Sequence, residues 1–342
     1  VSTNSATDAS PLDAFRALFQ DLPGPDAQAI AAARARQAQL IKPAGSLGRL
    51  EEIAIFLAGW QEREKPVVAR PLVAVFAANH GVTARGVSPY PAAVTAQMVA
   101  NFQAGGAAIN QLCTSLEVGL KVFELALDVP TGDIAVEDAL TARDCAGTIA
   151  YGMEAIEGGI DLLCLGEMGI GNTTVAAALF CALFGGEAAD WVGRGAGIEG
   201  EGMERKVEAV RLACARLAGE KDALTILQKI GGREIAAMVG AILAARLNRI
   251  PVLIDGFVTS AAAAVAYRMA PEALDHCLFA HCSAEKAHRL AVDAMGGEPL
   301  LDLGMRLGEG TGAALAASLV RTAAHCHSSM ATFAEAGVSG KG

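Results

Sequence analysis

From residue 71 onward, short apolar runs of β-type alternate with longer Ala-rich stretches of helical period, and nothing else in the chain constrains its fold so strongly. The candidate strands are Leu72–Ala77, Leu120–Leu125, Ile160–Leu165, Ile250–Ile254 and Cys277–Ala280. Helices are expected between them, near 92–112, 145–157, 172–184, 203–218 and 233–247. Strands apolar on both sides, joined by helical crossovers, belong to a parallel sheet covered on both faces. The expectation is a doubly wound, Rossmann-like α/β domain. The first 65 residues differ, with helical periodicity near 11–20, 26–40 and 46–63 and no strand between. After Gly312 the chain turns helical again over Ala313–Ala324, then runs into a Ser and Gly tail expected to fray.

Composition narrows the class. Of 342 residues, 53% are hydrophobic and 19% charged, which excludes disordered, collagen-like and coiled-coil chains. The length suits about two domains, or one large domain with an extension. Lys and Arg number 27 against 37 Asp and Glu, so the net charge is -10 and the pI near 5.2. That balance repels phosphate backbones and anionic lipid, so neither nucleic acid nor a membrane is expected as a partner. An anionic small substrate would need a local cluster of cations or backbone N–H groups. The 8 cysteines form no C-x-x-C pair and read as reduced core residues. VSTNSATDASPLDAF lacks the basic start and apolar run of a signal peptide, and no apolar stretch reaches the roughly 18 residues of a spanning helix. A cytoplasmic protein is expected.

In such sheets ligands sit at the carboxyl ends of strands, so the glycine-rich turns come first. IDLLCLGEMGIGNTTVAAALF reads as a buried strand, a loop with Gly166, Gly169 and Gly171, and a helix opened by Asn172. The turn can cradle a phosphate with free N–H groups and a helix dipole; it can equally be a plain βα turn with an Asn cap. WVGRGAGIEGEGMERK has the dinucleotide spacing of glycines at 195, 197 and 200 but no strand before it, so it fails as a Rossmann fingerprint. It still supplies Arg194 and Lys206 as local cations, or as solvated surface charges. LDLGMRLGEGTGAALA sets Glu309 between Gly308 and Gly310 ahead of an apolar helix. Beside the helix dipole this acid would be held ionised and a poor base; in an apolar site its pKa would rise to suit proton abstraction.

IPVLID ends in Asp255, followed by Gly256 and a small-residue helix from Thr259. Asp255 can meet a ribose hydroxyl or cap that next helix. The histidines at 80, 276, 281, 288, 325 and 327 lack zinc spacing and read as neutral core or surface residues. There is no Walker loop, no G-x-S-x-G and no pair of acids after a strand to hold magnesium pyrophosphate, which counts against kinases, α/β-hydrolases and diphosphate-dependent ribosyltransferases. Neither metal nor cofactor is expected.

Eight segments stand in order along nearly the whole chain. They are KPAGSLGRLE at 42–51, ANHGVTARGVSPYPAAVTAQM at 78–98, GEMGIGNTT at 166–174, GRGAGIEGEG at 193–202, GGREIAAMVGAIL at 231–243, DGFVTSAAA at 255–263, HCSAEKAHR at 281–289 and LDLGMRLGEGTGAALA at 301–316. Together they resemble the nicotinate-nucleotide:dimethylbenzimidazole phosphoribosyltransferase family, the CobT type of the cobalamin pathway. Asn79 stands where many relatives carry Asp.

The resemblance implies a large α/β domain over 69–309, a small helical domain built from 1–68 and 310–342, and a homodimer. It assigns Glu309 as general base and Glu167 as a second carboxylate. Gly169, Lys206, Gly256 and Ser283 match positions that hold the nucleotide phosphate and ribose, with Asp255, Asn172 and Arg194 beside them. Tyr90, Gln97, Met98 and Leu307 would form the benzimidazole pocket. The substrates implied are nicotinate mononucleotide and dimethylbenzimidazole. In the nucleotide the leaving ring is already a pyridinium and departs neutral, so only the incoming azole must lose a proton, and one carboxylate suffices while C1′ inverts. Two rivals stay open: an NAD-type oxidoreductase, and a silent module that binds the nucleotide without consuming it.

Overall fold

The computed structural model describes residues 10–339. Five strands, β1 (Pro71–Ala77), β2 (Gly119–Glu124), β3 (Leu162–Met168), β4 (Val252–Ile254) and β5 (Cys277–Phe279), form one sheet in the order β2-β1-β3-β4-β5. Every pairing is parallel. Alternation along each strand builds two cores. Ala74, Phe76, Leu163, Leu165 and Ile254 face helices Ala142–Met153, Asn172–Phe184, Arg233–Leu247 and Phe257–Met269. Val73, Val75, Leu162, Cys164 and Leu253 face Ala108–Leu116 and Thr311–Ser329. The doubly wound expectation holds, and its chain order reverses between β1 and β3, where such sheets open a crevice at their carboxyl ends.

Three departures have local causes. The helix expected over 92–112 is two helices, Ala93–Gln103 and Ala108–Leu116, because Gly105 turns the chain through a left-handed conformation (φ +79°). β2 is an edge strand with alternate positions exposed, not a run buried on both sides. An amphipathic helix at Ala223–Ile230, missed in the sequence, begins where the Asp222 side chain accepts from Thr225 N and packs in the first core against helices Asn172–Phe184 and Phe257–Met269.

Both chain ends meet on the second face. Helices Ala27–Gln39 and Arg49–Trp60 lie with Thr311–Ser329. Buried Arg36 donates to the carbonyls of His327, Ser328 and Met330, satisfying the end of that long helix, and Leu40 bridges to Thr332. Helix Asp13–Leu18 lies apart from this group. Its Phe15 and the flanking Leu12 and Phe19 join the first core, and Arg16 pairs with Asp222 at 2.6 Å. Among the described residues no helix is long and apolar enough to cross a membrane. The expected leader-free start at 1–9 and the end of the tail at 340–342 lie outside the described residues.

Candidate active site

A cleft of about 410 Å³ opens at the carboxyl ends of β3, β4 and β5. Glu309, Glu167, Gly169, Asn172, Gly256, Ser283, Tyr90, Met98 and Leu307 all line it. Lys206, Asp255, Arg194 and Gln97 do not.

The two acids arrive from neighbouring segments. Glu167 is the last residue but one of β3, and the 308–310 turn lies so close over Gly166 that a Cβ there would sit 2.8 Å from the Glu309 carbonyl carbon. Glu309 adopts φ +62°, a left-handed conformation unusual outside glycine, and donates its backbone N–H to Glu167 O at 3.3 Å. Its buried carboxylate accepts one long bond, from Ile109 N at 3.4 Å, and burial raises its pKa above the ordinary value. The helix N-terminus behind it is already served. Asp255 Oδ1 accepts from Ala313 N at 2.8 Å, so Asp255 caps Thr311–Ser329 and not the helix that follows it in the chain, whose N-cap is Gly256. Burial pushes Asp255 up to about 7 against the pull of those N–H groups.

Glu167 accepts from Asn172 Nδ2. Burial, and after it the negative charge of Glu234, pushes this carboxyl up to about 8. Glu234 itself is wholly buried and paired with His80 at 2.9 Å. Nothing local in the sequence joins the two residues, which stand in the separate ANHGV and GGREIAA blocks. A Cβ on Gly169 would stand 3.0 Å from His80 Nε2 and 2.8 Å from Ala78 O, so the turn packs directly onto the pair. Asn79 donates through Nδ2 to Leu127 O at 2.9 Å, a bond that an ionised Asp there could not make.

At the other end, helix Asn172–Phe184 begins beside the cleft with Gly171 in a left-handed cap. Lys206 is 1% exposed and donates to Thr173 Oγ1 (2.8 Å) and Gly193 O (2.9 Å). It borders a small cavity of about 50 Å³ shared with residues 169–173. Burial brings it down to about 8 while Glu285 opposes the fall. Arg194 points to the surface and pairs with Glu199 instead. Ser283 is fixed from behind, its N–H donating to His288 Nδ1 at 2.7 Å, so the ring proton is assigned to Nε2, facing Ser260 Oγ at 3.0 Å. Burial holds His288 down at about 3, so that ring is neutral.

The remaining wall is apolar. Val94 and Met98 face the cleft one turn apart on Ala93–Gln103, while Gln97, three positions after Val94, is exposed and does not line it. Tyr90 and Leu307, 52% and 58% exposed, stand at the mouth, and Phe257 and Val258 lie deeper. Arg306 and Glu285, neither anticipated from sequence, also line the cleft.

The chain is similar to known proteins along nearly its whole length. A family model described as a phosphoribosyltransferase matches residues 22–338. A nicotinate-nucleotide–dimethylbenzimidazole phosphoribosyltransferase of Rhizobium etli (strain CIAT 652) is 65% identical over 332 residues, 97% of this chain and 98% of that one. One from Brucella anthropi is 63% identical over 331 residues, covering 96% and 98%. The crystal structure of the Thermus thermophilus enzyme of the same name superposes with a TM-score of 0.87 at 42% identity, covering 92% of this chain and 100% of that chain. The chain therefore belongs to the nicotinate-nucleotide–dimethylbenzimidazole phosphoribosyltransferase family, enzymes that transfer a pentosyl group.

Proposed function

We propose that this protein transfers the 5-phosphoribosyl group of nicotinate mononucleotide to 5,6-dimethylbenzimidazole or a related azole. Nicotinate and α-ribazole 5′-phosphate are the products, for cobalamin nucleotide-loop assembly. The observation that supports this most is the state of Glu309. Its carboxylate lines the cleft, burial raises its proton affinity, and Asp255 occupies the helix N-terminus that would otherwise hold it ionised.

The chemistry follows from that placement. The azole nitrogen attacks C1′ as the bond from C1′ to the pyridinium nitrogen breaks, and that electron pair neutralises the departing nicotinate ring. The azole N–H proton passes to Glu309. Attack opposite the leaving ring inverts C1′ from β to α. Glu167, largely protonated at neutral pH, adds no second negative charge beside the base and can donate a hydrogen bond. Tyr90, Met98 and Leu307 would sandwich the benzimidazole. Gly169, Gly256, Ser283 and the start of helix Asn172–Phe184 would hold ribose and phosphate, with Lys206 behind. Asp255 would act from beneath, through the turn that carries Glu309.

The exposed Tyr90 and Leu307 at the mouth support a homodimer in which a second subunit covers them. We further propose the division into 69–309 and a small domain from both chain ends, and a cytoplasmic location. Mixing purified protein, nicotinate mononucleotide and a panel of azoles tests the activity by chromatography of released nicotinate. Release that depends on the azole is expected. Release without any azole, or binding without consumption, would contradict it.

A further inference from the structure

The glycine-rich segment that fails as a dinucleotide fingerprint forms a strap over Lys206. Gly193 O accepts from Lys206 Nζ at 2.9 Å. Two residues on, Gly195 is gripped from both sides: its N–H donates to both oxygens of Glu285 at 3.1 and 3.2 Å, and its carbonyl accepts from Arg306 Nη1 at 3.2 Å. Gly193 has no space for a side chain, since a Cβ would overlap the Glu285 carboxylate. A Cβ on Gly195 would meet Lys206 Nζ at 3.1 Å. Ala196 lines both the main cleft and the small cavity beside Lys206, as do Gly169, Ile170, Asn172 and Thr173, so the strap forms one side of the wall between them.

A buried carboxylate is costly unless its contacts offset desolvation. Glu285 sits beside the expected site of an anionic phosphate, where it would otherwise weaken binding. Its geometry explains its presence: it holds the strap through Gly195 N, and its charge favours the protonated form of Lys206.

We propose that Glu285 and Arg306 are positioning residues that hold the Gly193–Ala196 strap across Lys206 and thereby set affinity for the phosphate-bearing substrate. This rests on the reading above that the nucleotide phosphate binds beside Lys206. Arg306 acts on the strap through its bond to the Gly195 carbonyl. Glu285 has a second effect, because burial draws Lys206 down and, among the described residues, Glu285 is the charged group that opposes this. The other partners of Lys206, Thr173 Oγ1 and Gly193 O, are neutral.

The test compares Glu285→Gln, Arg306→Ala and, as a control, Lys206→Ala in steady-state kinetics from pH 6 to 9, with a thermal melt of each. Both positioning variants should raise KM for nicotinate mononucleotide by about three- to tenfold, the scale of one or two hydrogen bonds. Turnover at saturation and KM for the azole should hold within about threefold. Glu285→Gln alone should move the alkaline loss of nucleotide affinity to lower pH, since Lys206 then loses its proton earlier; a merely structural role would leave that profile in place. Arg306 is exposed, so its variant keeps the test open even if Glu285→Gln folds poorly. Unchanged nucleotide KM in both variants while Lys206→Ala raises it would overturn the strap's role and leave the phosphate reading standing. A rise of azole KM in step with nucleotide KM would overturn it too. If Lys206→Ala also leaves nucleotide KM unchanged, the phosphate reading fails and this inference falls with it.

Discussion

Glu167→Gln separates the two cleft carboxyls by charge state. The folded Glu167 carboxyl titrates at about 8 against an ordinary 4.5, mainly through burial and then through Glu234. The folded value is the higher one, so the folded protein holds this proton more tightly than the unfolded chain does. That contribution to stability is fully present below the ordinary carboxylate value and is lost as pH rises through about 8. At full ionisation it amounts to on the order of 4–5 kcal/mol as an upper bound, and coupling to Glu309 and Asp255 reduces it to a few. Gln reproduces the neutral form, still accepts from Asn172 Nδ2, and carries no such penalty. The melting temperature of the variant relative to the wild type should therefore climb by several degrees between pH 5 and 9. Turnover near pH 6.5 should stay within about threefold, because the neutral form is the working one. Paired thermal melts across that range, with turnover on the same samples, read both effects. A melting difference that stays constant with pH, together with a large loss of turnover at pH 6.5, would refute the assignment of Glu167 as the protonated partner.

Other consequences are more local. Lys206→Ala should weaken nicotinate mononucleotide binding by about 1.5–3 kcal/mol, measured by calorimetry, with azole affinity little changed. Gly308 lies at φ +86° and its Cβ would press on Glu167 Oε1, so Gly308→Ala should cost at least about 1–3 kcal/mol of stability in denaturant titration and lower turnover. Because the nicotinate leaves as a neutral ring, turnover should survive exhaustive chelation, and a reproducible requirement for added magnesium or zinc would contradict the one-base scheme.

The parallel sheet was legible because β1, β3 and β4 are nearly continuous apolar runs, and helices Asn172–Phe184 and Arg233–Leu247 fall where their periodicity put them. Ala223–Ile230 escaped because 8 residues between two glycine turns give little room for a period to show. At the site, chemistry carried by one short segment could be read directly, as with Glu309 between its glycines. Contacts made by distant residues could not. Asp255 and Ala313 stand 58 positions apart, and no local rule says which helix an acid at a strand end will cap. His80 and Glu234 become a pair only once the fold brings them together. Gln97 is different: three positions after Val94 it belongs by count to the edge of the Val94–Met98 stripe, and only the packing of the helix shows that it is exposed and stays out of the cleft.

Glu309 carries the central claim, and Glu309→Gln tests it with least ambiguity. The amide keeps the shape of the side chain and its bond to Ile109 N but cannot take a proton from an azole. Steady-state nicotinate release and thermal stability, measured on the same preparation at neutral pH, should show a folded protein that still binds both substrates. Its turnover should be lower by roughly 10²–10⁴-fold. A folded variant turning over near the wild-type rate would contradict the account and remove Glu309 from the role of base.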